Sequence, residues 1–433
     1  MVGLIAITLL FIVYALLSRR LTTSSITGPM MFAAAGILLA VDLLGHGAAI
    51  DAFSLELRSG AIQVLLEATL VIVLFSDAVT IDVRAVRKDA FLPSRLLGVG
   101  LPITIALGTL IAMVVFPGIG FWTAALVAVI LAPTDAALGQ AVVANEEVPD
   151  LVRQGLGVES GLNDGIAVPF LTIAVAGAAG QMQTGSEIAT VFIKEIGLAV
   201  LVGLAVGWLG AKAVRFASER GWMAREGRQI AVVFLAVLCF ALADPIDGSG
   251  FIAAFVGGMT FGSLLRKEFP SICNFSEGVS HLMTMAAFFV FGGLIFVPVV
   301  GDMTWQTVVY AVLSLTVIRM VPVAIALIGT NLRWQTKTYV GWFGPRGLAS
   351  LVFLGTVVID ARLTDTKGIV AVGALTVAFS VFLHGLSAWP ASVRYAAWFR
   401  SLGSDPDTAM VEDDEAGGMS PESLGGRLGP DTL

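Results

Sequence analysis

The sequence predicts an all-α polytopic membrane protein of about thirteen transmembrane helices, two inverted six-helix repeats with broken crossing helices at spans 5 and 12. Three observations lead there. Of 433 residues, 57% are hydrophobic and only 13% charged, with a mean hydropathy of +0.91, whereas a soluble domain carries about 25% charged residues. Apolar runs of about 20 residues, the length needed to cross a bilayer, recur along the whole chain. Basic residues then sort to one side when the runs are counted from an N-terminus placed outside. Arg19, Arg20, Arg84, Arg87, Lys88, Arg95, Arg153, Lys212, Arg215, Arg220, Arg225, Arg228, Arg266, Lys267, Arg333 and Lys337 fall on cytoplasmic loops, and only Arg58, Arg362 and Lys367 fall opposite.

Spans bounded by charge, Pro or Gly are expected near 2–18, 26–42, 60–80, 92–115, 121–143, 151–177, 188–212, 229–243, 248–265, 276–299, 304–329, 335–359 and 368–391. The first run has no basic stretch before it and no small-residue cleavage site, so it reads as a retained span rather than a signal peptide. Odd parity suggests two six-span units, 1–6 and 8–13, joined by a seventh crossing, a common plan among transporters. From about residue 401 the chain turns acidic and rich in Gly and Pro, which predicts a disordered cytoplasmic tail over 401–433; a cytoplasmic partner for that tail is left open.

Two spans should break. Span 5 contains LAPTDAALG, with Pro133, Thr134 and Asp135 near its middle, and span 12 contains GWFGPRGLASL, with Gly344, Pro345, Arg346 and Gly347. Pro removes a helical hydrogen bond and Gly loosens the backbone. They occupy the fifth place of each proposed unit, and interrupted spans at matching places point to a transporter's midplane site. Asp135 suits the positive N-terminal end of a half-helix there, and Arg346 the negative C-terminal end.

Span 6 carries ESGLND, residues 159–164, inside an otherwise apolar run. At about 100° per residue, Glu159, Ser160, Asn163 and Asp164 share an arc of about 140°. Carboxylate, hydroxyl and amide oxygens are the ligands of a hard cation. A bare carboxylate at membrane depth costs roughly 2.5–3.5 kcal/mol, so such an acid favours a protonated or an ion-bound state. If only the occupied forms cross between the two faces, competition between proton and cation for one such acid yields exchange. Arg319, near the middle of span 11 with no acid on that span, needs a carboxylate, and Glu159 is its candidate partner. Span 3 adds Glu67, without an assigned partner, and Asp77 near the cytoplasmic end, placed to reach the site through water. Lys194 and Glu195 are expected to snorkel or pair locally.

Other functions are disfavoured. Cys239 and Cys273 sit in or beside apolar runs and read as core residues, and His46, His281 and His384 are too scattered for a ligand set. There is no phosphate loop, no nucleophile elbow, no Gly-x-Gly-Asp protease signature, no repeated filter loop for a channel, and no basic-aromatic stripe for nucleic acid. No cofactor and no enzyme activity are expected. A proton-coupled symporter of a small organic solute is the remaining alternative, although the small polar set on span 6 favours a bare ion.

Taken together, Thr134-Asp135, Glu159-Ser160-x-x-Asn163-Asp164, Arg319 and the Gly-x-Arg-Gly pattern at 344–347 resemble the bacterial sodium–proton antiporters of the NhaP type, relatives of animal sodium–proton exchangers. The resemblance covers roughly residues 1–395. It implies a secondary active transporter of the bacterial inner membrane serving pH homeostasis, a homodimer embedded in lipid, with a transmembrane domain over 1–400. Spans 4–6 and 11–13 would form the core domain and the remaining spans the dimerisation domain. Asp164 would bind cation and proton, with Asp135, Asn163, Ser160, Thr134 and Asp77 around it; Na⁺, or K⁺ or Li⁺, would sit at Asp164, Asp135, Ser160 and Thr134. Glu159 and Arg319 match the family's structural ion pair, and Arg346 its broken-helix charge. The Asn163-Asp164 pair implies electroneutral 1:1 exchange. Pro345, where relatives more often have Leu or another apolar residue, and Asp rather than Glu at 77, are departures.

Overall fold

The computed structural model describes residues 2–21, 24–41, 60–81, 91–135, 138–139, 142, 147–180, 185–359, 363 and 366–402. The expected tail, from residue 403 onward, lies outside them, as do Arg58, Arg84, Arg87, Lys88, Arg362, His46 and most of the second half of span 5.

Among the described residues the chain is helical and has no strand. The helices are α1 (Val2–Leu21), α2 (Gly28–Leu39), α3 (Ala61–Thr80), α4 (Phe91–Val115), α5 (Phe121–Ile130), α6 (Asp150–Ala178), α7 (Gly185–Glu219) and α8 (Arg225–Ala243). They continue with α9 (Gly250–Leu265), α10 (Asn274–Asp302), α11 (Trp305–Ala326), α12 (Trp334–Trp342), α13 (Leu348–Ile359) and α14 (Lys367–Ser401). Eight stretches are long and apolar enough to cross a membrane: α3, α4, α6, α8 with its following turn, α10, α11, α14, and Ile188–Glu219 of α7; α2, α5, α9 and α13 are shorter apolar helices. Every expected span overlaps one of these helices or, for span 12, the pair α12 and α13.

Local chemistry sets many of the ends. Thr27 caps α2 by accepting from the Met30 amide, and Ser249 caps α9 by accepting from Ile252. Thr304 and Thr307 form a reciprocal capping box at the start of α11. Several helices depart from the even spans read from sequence. α11 breaks at Thr316 (φ −113°, ψ −88°), whose hydroxyl donates back to the Val312 carbonyl at 2.7 Å, a bond that competes with regular helix geometry. Residues 96–100 and 291–296 are wound as π-helix within α4 and α10, and α14 runs on through Pro390 to Ser401. Lys194 reaches across to Asp247 at 2.5 Å, both side chains well exposed.

Two packing groups emerge. α1–α3 and α7–α10 pack chiefly on one another, and so do α4–α6 and α11–α14. Small residues allow the close approaches expected of membrane helices: a Cβ on Gly258 or Gly262 of α9 would strike the backbone of α3 at Phe75 or Val79, and one on Gly292 of α10 would strike the Ala33 carbonyl of α2. The groups meet along a seam where α3 faces α13 and α9 faces α6.

Candidate cation and proton site

Both broken spans open where their Pro and Gly residues lie. α5 stops at Ile130 and residues 131–135 leave the helix; α12 stops at Trp342 and helix resumes only at Leu348. The irregular segments cross and satisfy each other. The Asp135 amide donates to the Pro345 carbonyl at 2.7 Å, and the Leu348 amide, at the N-terminus of α13, donates to Asp135 Oδ2 at 2.7 Å. Arg346 Nη1 donates to the carbonyls of Ala132 (2.7 Å) and Pro133 (3.1 Å) just past the end of α5, and Ser350 donates to Ile130 O at 2.8 Å. A carboxylate thus meets a positive helix end and a guanidinium a negative one, and backbone groups freed at membrane depth find protein partners, as they must. Gly347 is required here, because a Cβ would strike the Asp135 carboxylate.

On α6, Glu159, Ser160, Asn163 and Asp164 are all buried and turned toward this crossing. Asn163 Nδ2 donates to Thr134 Oγ1 at 2.7 Å, and Thr134 and Ser160 share a hydroxyl–hydroxyl bond of 3.0 Å. Asp164 Oδ1 and Asn163 Oδ1 are buried with no hydrogen-bond partner. Buried oxygens are seldom left bare, and carboxylate, amide and hydroxyl oxygens gathered on one side of α6 are a donor set that suits a hard cation or a proton. Asp164 lies within Coulombic range of Asp135 and Asp77. Among the described residues no cluster of three or more His, Cys, Asp or Glu is arranged to hold a metal ion. A narrow cleft of about 10 Å³ is lined by Asp135, Ser160, Leu156, Val142, Phe343 and Pro345; that is room for about one water-sized body.

Glu159 stands in contrast. Arg319 clasps both its oxygens, Nη1 to Oε1 at 2.5 Å and Nη2 to Oε2 at 2.9 Å, with both side chains almost wholly enclosed. Gly344 leaves the space the guanidinium occupies, since a Cβ there would collide with it. Asp77, on α3 across the seam, is exposed and within Coulombic range of Asp135 and of Glu277 on α10.

Sequence alone assigns no role to Ser350 or Ser380, and it sets His384 aside as one of three histidines too scattered for a ligand set. Ser380 accepts from the Arg346 amide at 2.6 Å and bonds to His384 Nδ1 at 3.2 Å, while His384 Nε2 faces the Trp342 carbonyl at 3.0 Å. A carbonyl only accepts, so Nε2 carries the proton. This chain holds both ends of the break in span 12. Its signal was available: Ser and His four apart in an apolar run share one helical face.

Comparison with known proteins gives a consistent picture. A solved structure of the sodium proton antiporter MjNhaP1 from Methanocaldococcus jannaschii superposes with a TM-score of 0.71 at 20% identity, covering 89% of this chain and 100% of that one, which shows a shared fold. The chain is 28% identical over 263 residues to the Na(+)/H(+) antiporter 2 of Zygosaccharomyces rouxii, covering 56% of this chain and 32% of that protein. It is 28% identical over 235 residues to the K(+)/H(+) antiporter NhaP2 of Shewanella oneidensis, covering 52% of this chain and 39% of that protein. The matches thus span only about a third of the length of these curated relatives. The profile of the family described as sodium/hydrogen exchanger, transmembrane, matches residues 6–393, nearly the whole helical region, and the chain belongs to that family.

Proposed function

We propose that this protein exchanges a monovalent cation, Na⁺ in the first instance, for a proton, one for one, by carrying Asp164 alternately to the two sides of the membrane. The observation that carries this reading is the charge census of the buried interior. The buried charged side chains among the described residues are Asp135, Glu159, Asp164, Arg319 and Arg346. Three carboxylates against two guanidinium groups leave one negative charge, and it falls on the acid with a bare oxygen. One proton or one monovalent cation cancels it. Uncancelled charge inside a membrane is costly, so the loaded forms are the ones that cross.

The roles follow from position. Asp164 holds cation or proton; Thr134, Ser160 and Asn163 supply or orient neutral oxygens; Asp135 adds charge while capping α13; Asp77 attracts cations at the mouth. Glu159 and Arg319 hold α6 to α11, and Arg346 neutralises the crossing. The group α4–α6 with α11–α14 is the moving core. The group α1–α3 with α7–α10 is the dimer scaffold, set in a plasma membrane with the N-terminus outside and residue 402 toward the cytoplasm. The exposed apolar side chains of α7 and α8, among them Leu201, Trp208 and Phe234, support a scaffold facing lipid or a second copy.

The test is exchange by purified protein in liposomes loaded with a pH dye, under an imposed proton gradient and a clamped voltage. Na⁺, K⁺ or Li⁺ should collapse the gradient and choline should not, at a rate independent of voltage; the apparent KM for the cation should rise as the pH falls, because the two compete. A voltage-dependent rate would overturn the one-for-one ratio. Failure with every cation would restore a proton-coupled solute symporter.

A further inference from the structure

The face of α3 turned to the seam carries Gln63, Glu67 and Asp77 within about 80° of arc at 100° per residue, yet its two ends are in opposite conditions. Asp77, at the cytoplasmic end, is exposed. Gln63, at the outer end, is buried at 7% exposure and spans the seam. Its Nε2 donates to Glu67 Oε1 at 2.5 Å on its own helix and to Thr356 Oγ1 at 3.2 Å on α13. Thr356 has its hydroxyl proton committed to the Val352 carbonyl at 3.1 Å, leaving its lone pairs to receive Gln63. Gly355 makes the approach possible, because a Cβ there would strike Gln63 Oε1. That Oε1 is buried and has no partner, so the closed contact is built with a built-in weakness; an unpaired buried acceptor costs about 1–3 kcal/mol.

The cleft to the Asp135–Ser160 corner is lined by Leu156, Val142 and Phe343. These lie within the α4–α6 and α11–α14 group: Val142 beyond Asp135, Leu156 in the second turn of α6 and Phe343 just past the last residue of α12. Along α3 the seam face is therefore exposed at Asp77 and bonded across to α13 at Gln63.

From this we propose that Gln63, Glu67 and Thr356 form an outer latch that holds the two helix groups together in the inward-facing state and releases when the core moves outward. Glu67 fixes the Gln63 amide so that its second proton points at Thr356. When the latch parts, Glu67 loses its donor and stands at the outer mouth as Asp77 stands at the inner one. The proposal rests on the alternating-access reading above.

The experiment uses full-length protein with Cys239 and Cys273 replaced by Ala, and the pair Gln63→Cys and Thr356→Cys bridged by a short, reducible bis-thiosulfonate, the bridge being verified by peptide mass. The bridged protein should lose at least tenfold in exchange rate and recover on reduction, while each single-cysteine variant treated with the reagent keeps exchanging. Bridged protein exchanging at the unbridged rate would overturn the latch. Loss of exchange in the unbridged parent while the wild-type chain also fails with every cation would instead overturn the transport reading. Independently, Thr356→Val removes the acceptor while keeping the shape. It should lower the ratio of outer to inner apparent KM for the cation by about fivefold, the population shift expected from one hydrogen bond of about 1 kcal/mol; an unchanged ratio would count against the latch as decisively as an active bridged protein.

Discussion

Two corners of α6, five residues apart, hold buried carboxylates in opposite conditions. Glu159 is clasped at both oxygens by Arg319, and the pair is neutral and shut. Asp164 is also buried but keeps a bare Oδ1, as does its sequence neighbour Asn163. The same helix and the same residue class yield a fastener in one place and a vacancy for charge in the other. What decides between them is the neighbouring span: α11 brings a guanidinium to Glu159, whereas the broken end of α5 brings the Thr134 hydroxyl and a second carboxylate, Asp135, and no cation toward Asp164. Identity of the acid says little about its task until its counter-charge is known.

The comparison breaks most visibly at Asp164. Asp164→Asn should abolish exchange in liposomes while leaving expression and melting temperature near wild type, because it removes a charge with no partner to strand; a variant that still exchanged would move the binding role elsewhere. Glu159→Ala should do the reverse. It strands a buried guanidinium and should cost about 3–5 kcal/mol, read as a large fall in melting temperature in detergent. The double change Glu159→Leu with Arg319→Met should regain most of that loss, since an apolar pair of similar volume replaces a buried ion pair at little cost. Failure of the double variant to recover would mean the pair does more than fasten.

Smaller effects sharpen the border between the corners. Gly347→Ala pushes a methyl against the Asp135 carboxylate and should cost about 1–3 kcal/mol as an overpacked contact, with exchange falling more than stability because α13 loses its cap. Thr134→Val removes the hydroxyl shared by Asn163 and Ser160 and should raise the apparent KM for the cation roughly fivefold, about 1 kcal/mol, with the melting temperature little changed. A fall in melting temperature without a change in KM would return Thr134 to a packing role.

Much of this was legible in sequence because its signals are local. Pro133, Pro345 and the glycines of span 12 mark breaks by their own backbone chemistry, and a charge inside an apolar run announces itself. The pairing of Glu159 with Arg319 could be argued by elimination, since span 11 carries no acid of its own. The bond between Gln63 and Thr356 could not, because it joins residues 293 apart whose side chains are unremarkable where they stand. Nor could the break at Thr316, where a hydroxyl back-bond that many helices absorb here ends one. The long reach of α14 was missed because Pro390 reads as a stop and is accommodated inside the helix. Glu67 had no partner in the sequence and gains one only through the helical register of α3.

The crossing itself bears on what kind of machine this is. Asp135, Pro345, Arg346, Leu348 and Ser350 tie the two broken spans by short bonds on both strands of the crossing, so the corner proposed to hold the ion is costly to reshape. A corner that travels without being reshaped offers the same oxygens at the same spacings on arrival as on departure. Its choice among ions is then one property of the protein, equal at both faces, and the enzyme-like question of forward and reverse specificity disappears. Under the proposed one-for-one exchange, the direction is left wholly to the concentrations on either side, and the same molecule would drain an ion from one cell and admit it to another.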